Sequence, residues 1–247
     1  MTIRTDQEFD GMRQAGRAVA HALEMARNAV EPGINTLELD LICANALREF
    51  GARSAPQLEY NAPSWAFFSI NDAVVHGLPS RVPLREGELL KIDVTAELNG
   101  FVSDAAITVP VGTISGRSRQ LVRCTEQALQ RGLEVARAGN RIGQISHAVS
   151  NAVRKQGFRL ARGLCGHGIG RSLHEAPDVP NEFDKRNNDR LEEGLVITIE
   201  PMVTAGTSQV FTDDDGWTIR TTDGSTAAHF EHTIMVTRNA PVILTAF

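Results

Sequence analysis

The chain has 247 residues, 42% of them hydrophobic and 22% charged, with a formal net charge of −5. These fractions support a sizeable core and exclude wholesale disorder, and no run approaches the ~18 uninterrupted apolar residues of a membrane span. The mildly acidic balance lacks the global basic footprint of a DNA binder. Cys43, Cys124 and Cys165 form neither a disulfide framework nor a metal knuckle. The N-terminal MTIRTDQEFD has no apolar signal core, so a soluble cytoplasmic protein is expected.

Along the chain, apolar periodicity predicts helices over roughly 6–30 and 36–50, and again over roughly 117–137 and 142–156. The second pair echoes the first. Asn45-Ala46-Leu47-Arg48 returns as Asn151-Ala152-Val153-Arg154, and the same spacing pairs Gly33 with Gly139, Gly51 with Gly157 and Arg17 with Arg123. Leu84-Arg85-Glu86-Gly87 is likewise echoed by Leu191-Glu192-Glu193-Gly194, each followed by a β-rich run ending in an acid, Asp93 or Glu200. No linker interrupts the chain. The expectation is one domain over 1–247, made of two pseudo-symmetric α/β halves at approximately 5–111 and 115–240.

Between Leu89 and Val111, Asn99-Gly100 marks a hairpin. A two-residue loop there sets Leu98 opposite Phe101 and Asp93 opposite Ala106. Asp104, two positions from Ala106, then shares a face with Asp93. Such diagonal pairs lie about 7–8 Å apart at the backbone, near enough for both carboxylates to reach one cation. A solvated hairpin is the alternative, but Ile92, Val94, Ala105 and Ile107 argue against a wet face.

The second half adds Glu200, before Pro201, and Glu231 in a β-like run. His167 lies in Gly166-His167-Gly168-Ile169-Gly170, where missing β-carbons allow close approach. Oxygen donors with one imidazole suit divalent Mn, Fe, Co or Zn. Four carboxylates overcharge a single ion, so two divalent metal ions about 3.5–4 Å apart, sharing bridging carboxylates and a hydroxide, are the sharper expectation.

Val74-Val75-His76-Gly77, Lys91-Ile92-Asp93-Val94, Gly166-His167-Gly168-Ile169-Gly170-Arg171, His174-Glu175, Thr198-Ile199-Glu200-Pro201-Met202 and Phe230-Glu231-His232-Thr233 stand in one order along nearly the whole chain. In that order and spacing they closely resemble methionine aminopeptidase, in the short bacterial type I form. The resemblance implies the pita-bread fold, two related α+β halves around a central antiparallel sheet. It implies Asp93, Asp104, His167, Glu200 and Glu231 as metal ligands, with Asp104 and Glu231 bridging and Glu200 also shuttling a proton. His174 would stabilise the tetrahedral intermediate, and His76 would contact the amide beyond the scissile bond. The implied substrates are nascent peptides with a free N-terminal Met and a small second residue. A transient ribosome contact and a monomeric state are also implied, with no membrane or DNA partner.

The pocket departs from the family pattern. Leu173 replaces the usual aromatic before the His-Glu pair, and Val75 stands where a polar or thiol residue is common. The stretch Tyr60–Ile70, with Tyr60, Trp65, Phe67 and Phe68, reads as a rewritten pocket wall, and Trp217 matches a position at the rim. His229 and His232 are expected to point away from the face of Glu231 and to be structural, and His21 and His147, in helices, are given no role. Cys165 is expected to be a buried apolar side chain. A zincin is excluded because no second histidine follows His174-Glu175 in HExxH spacing, and no GxSxG elbow or Walker lysine exists. The remaining alternatives are an Xaa-Pro peptidase of the same fold and a non-catalytic scaffold.

Overall fold

Helix starts follow local capping chemistry. In a computed structural model, which describes residues 1–185 and 188–246, α1 (Asp6–Ala29) begins after Thr5, whose hydroxyl accepts from the Glu8 N–H. Helix α2 (Thr36–Glu49) begins at a reciprocal box: Asn35 Oδ1 accepts from the Glu38 N–H, and the Glu38 carboxylate accepts from the Asn35 N–H. A short α3 (Ala55–Tyr60) follows, then α4 (Gly116–Val135) and α5 (Ile142–Lys155) in the second half. The four long helices lie within a residue or two of their expected bounds.

Among the described residues the central sheet has nine strands, with neighbours paired antiparallel. Its middle is the hairpin Leu89–Leu98 and Phe101–Pro110, followed by Glu231–Met235, Val196–Ile199, Cys165–Gly168 and Glu175–Pro180. Asn99 and Gly100 turn the hairpin with φ of 52° and 80°, the left-handed pair of a type I′ turn. The expected register holds, Leu98 opposite Phe101 and Asp93 opposite Ala106. Ala106 in turn pairs with Glu231, and Phe67 with Asp93, so one row across the sheet reads Phe67, Asp93, Ala106, Glu231.

Alternation then divides the chemistry. Ile92, Val94, Ala105 and Ile107 turn toward α1 and α2, packing with Met12, Val19, Leu23 and Leu39. Ile197 and Ile199 join Leu121, Leu129, Ile145 and Val149 of α4 and α5. Each buried Ile, Val, Leu or Met among them contributes about 1.5–3 kcal/mol, enough to hold the helices on that face. Asp93, Thr95, Asp104, Glu200 and Glu231 are left to the other face, where they line a cavity. Two small three-stranded sheets, one carrying Ala73–Val75 and the other Ala227–His229, contribute further wall. Among the described residues, no helix is long and apolar enough to cross a membrane.

Candidate metal centre

The cavity measures about 600 Å³ and is floored by carboxylates. Asp104, Glu200 and Glu231 are buried, and Asp93 is half-buried with Oδ1 enclosed. Asp93 Oδ1, Asp104 Oδ1 and Glu231 Oε1 have no hydrogen-bond partner among the described residues. Enclosed acceptors without donors are costly, and the usual remedy is a cation. Burial pushes the carboxyls of Asp93, Glu200 and Glu231 well above the ordinary range, and the neighbouring carboxylates add to the effect. Asp104 is raised to about 7 by the same desolvation.

His167 enters from the strand Cys165–Gly168. Its Nδ1 lies 2.9 Å from the Gly168 carbonyl, and donation there leaves the Nε2 lone pair free, 3.5 Å from Glu200 Oε1. Burial lowers its pKa to about 4, so the ring is neutral, as a metal ligand must be. The flanking glycines are needed because the chains crowd together: a β-carbon on Gly166 would sit 2.6 Å from the Thr198 carbonyl oxygen, and one on Gly168 would strike the Ala176 carbonyl. Thr198 supports both neighbours, its Oγ1 accepting from the His167 N–H and donating to Glu200 Oε1 at 2.8 Å.

Two groups of three side chains bring ligand atoms within 4.8 Å of one another: Asp104, His167 and Glu231, and Asp93, His229 and Glu231. Glu231 belongs to both. The geometry offers two adjoining places for a metal.

The family model of metallopeptidase family M24 matches residues 10–238. Methionine aminopeptidase 2 of Bacillus subtilis is 44% identical over 247 residues, covering 99% of this chain and 99% of that protein. The chain belongs to the methionine aminopeptidases of family M24. Crystal structures of methionine aminopeptidases from Thermotoga maritima and Rickettsia prowazekii superpose with TM-scores of 0.96 and 0.94, each 36% identical and with both chains fully covered. The prolidase from Pyrococcus furiosus, 21% identical with a TM-score of 0.80, shares the fold across 66% of its own chain. The fold is therefore the pita-bread fold, around the central antiparallel sheet described above.

In this methionine aminopeptidase fold, the cavity walls carry Tyr60, Phe67, His76, Leu173, His174 and Trp217. The Phe67 ring contacts both His76 and Trp217, at centroid distances of 5.2 and 5.8 Å. His76 adopts a φ of 57°, unusual for a residue with a β-carbon, where strain persists only if the surroundings impose it. Gly77 beside it leaves no room for a β-carbon against the Phe68 carbonyl. His174 stands against His167, ring centroids 4.3 Å apart.

Three expectations need correction. Trp65 is not on the cavity: its indole lies beneath the Arg48 guanidinium, 4.5 Å away, against the first-half core, and Phe68 is buried in that core. The Asp40 carboxylate draws the Trp65 backbone inward by accepting its N–H. Cys165 is half-buried and lines the cavity, its thiol kept protonated by burial, with a pKa near 11. His229 does not point away from Glu231. Its Nε2 is 3.5 Å from Glu231 Oε2, because residues two apart on extended chain share a side. His232 does turn away, its Nδ1 meeting Thr245 Oγ1 at 2.9 Å. The same period of two would have found Thr198 from Glu200.

Proposed function

We propose that this protein removes N-terminal methionine from peptides and nascent chains whose second residue is small, by metal-dependent hydrolysis of the first peptide bond. The observation that carries this reading is the pairing of enclosed, donor-less carboxylate oxygens at the cavity floor with apolar walls above them. The donor set fits divalent cations: Asp93, Asp104, His167, Glu200 and Glu231 would hold two ions, of the class Mn, Fe, Co or Zn. Bound there, such ions would supply Lewis acidity and lower the pKa of bound water to about 7.

The chain's own residues do the rest. Phe67, Leu173 and Trp217 present apolar surface to a thioether side chain, and Val75 and Met202 extend it. His76 is fixed to meet the amide beyond the scissile bond. His174 donates a hydrogen bond where negative charge develops on the carbonyl oxygen. Glu200 takes a proton and returns it to the leaving amine. We also read the chain as a single catalytic domain of two related halves, acting in the cytoplasm as a monomer that meets the ribosome transiently.

The test is release of methionine from Met-Ala-Ser by the protein loaded anaerobically with Fe(II), Mn(II) or Co(II), with Xaa-Pro peptides as comparators. Methionine release with no Xaa-Pro cleavage is expected. Turnover of the Xaa-Pro peptides alone would reassign the substrate, and no turnover of either would make the protein a scaffold.

A further inference from the structure

His229 is a buried polar side chain of the cavity to which the proposed reaction gives no task. It is 1% exposed, and neither ring nitrogen has a hydrogen-bond partner among the described residues. A doubly unsatisfied imidazole in an enclosed position is unfavourable unless something arrives to use it. Its backbone is held firmly. The N–H donates to Thr108 Oγ1 at 2.9 Å, the carbonyl accepts from the same hydroxyl at 2.7 Å, and the residue pairs with Met202 across the small sheet. That clamp aims the ring at the floor of the cavity, where its nitrogen and oxygens of Asp93 and Glu231 fall within 4.8 Å of one another. Asp93 Oδ1 and Glu231 Oε1 are themselves without donors. Three side chains from three strands therefore share one deficiency at one point.

We propose that His229 is a nitrogen ligand for the ion on the Asp93 side. Each place in the paired centre then carries one imidazole, His167 with Asp104 and Glu231, and His229 with Asp93 and Glu231. This assignment rests on the metal-dependent reading above. A second nitrogen raises preference for Co(II), Ni(II) and Zn(II) over Mn(II), because imidazole is a softer donor than carboxylate.

The test uses the full-length, tag-free protein loaded with two equivalents of Zn(II) or Co(II). X-ray absorption counts bound imidazoles from their multiple scattering, and competition titration gives the affinity for Co(II) and for Mn(II). The expected count is two imidazoles per pair of ions in the native protein and one in His229→Gln. Co(II) affinity at one place should fall by about tenfold or more in the variant, with Mn(II) affinity changed much less. One imidazole per pair in the native protein overturns the assignment without needing the variant, as does an unchanged count in His229→Gln. If the native protein binds two ions and releases methionine but shows one imidazole, only the role of His229 falls. If it takes up no metal, the metallopeptidase reading falls with it.

Discussion

The phenol oxygen of Tyr60 lies 2.7 Å from Nδ1 of His174. Burial, and then the charge of Glu59, raise the Tyr60 pKa, while burial lowers that of His174, so a neutral phenol meets a neutral imidazole. If the phenol donates to Nδ1, the His174 proton is left on Nε2, free to be donated to substrate. His174→Ala should lower kcat by about 10²–10³-fold, the usual loss for one preorganised donor. Tyr60→Phe removes only the hydrogen bond that sets the tautomer, worth about 1 kcal/mol, so kcat should fall about fivefold. Steady-state kinetics on Met-Ala-Ser decide it: an unchanged kcat in Tyr60→Phe would detach Tyr60 from His174.

Phe67 and Trp65 make a matched pair of controls, since only Phe67 reaches the cavity. Phe67→Ala should raise KM for methionine substrates and reduce discrimination between Met and Leu by about tenfold, within the 1–3 kcal/mol that a hydrophobic pocket controls. Trp65→Ala should leave that discrimination intact and destabilise the fold by about 2 kcal/mol, through lost apolar burial and the Arg48 contact. Peptide selectivity measured beside urea unfolding separates the two roles.

Gly168 is a packing requirement of the metal centre. Gly168→Ala forces a methyl group against the Ala176 carbonyl and should cost about 1–3 kcal/mol of stability. Because the movement falls next to His167, Co(II) affinity should weaken as well. Calorimetric titration with wild-type affinity in a destabilised variant would show that the strand yields elsewhere.

Stability of the metal-free protein should fall as pH rises from about 6.5 to about 8. A carboxyl whose pKa is raised in the fold stabilises it fully below its unfolded value, and that contribution is lost as pH climbs through the folded value. Asp104, at about 7, lies in this window, and Asp93, Glu200 and Glu231 are shifted the same way. The lowered histidines His76 and His167, both at about 4, act at more acidic pH, below their unfolded value of about 6.5. Lys91, lowered to about 7 by burial, acts in the opposite sense above that pH, and the raised carboxyls of Asp93, Glu200 and Glu231 act with Asp104. Bound cations remove the reason for protonation, so Co(II) at a hundred times its Kd should flatten the profile and add about 2.7 kcal/mol. Scanning calorimetry with and without chelator tests this, and a chelated melting temperature that rises toward pH 8 would contradict it.

Much of this molecule could be read before folding was considered. Helix positions follow from apolar periodicity, with caps such as Asn35 and Glu38 setting the ends in the structure, and the hairpin register follows from Asn99-Gly100, which placed Asp93 and Asp104 on one face. Those signals are local: a cap spans four residues, and strand period is two. The family motifs named Glu200, Glu231 and His167 but could not show them meeting. Their meeting depends on strand order, with Glu231 hydrogen-bonded beside Ala106 although most of the second half lies between them. The aromatic cluster near Trp65 looked uniform as a string, yet Asp40 and Arg48 draw Trp65 to the core side while Phe67 stays on the cavity. His229 shows the same division. Its shared side with Glu231 is a matter of counting by two, but its enclosure and its approach to Asp93 arise only when separate sheets close around one space. Local chemistry thus determined the elements and the facing of their side chains. Long-range strand pairing decided which charges had to share a buried volume, because burial and repulsion depend on distance through space and not along the chain.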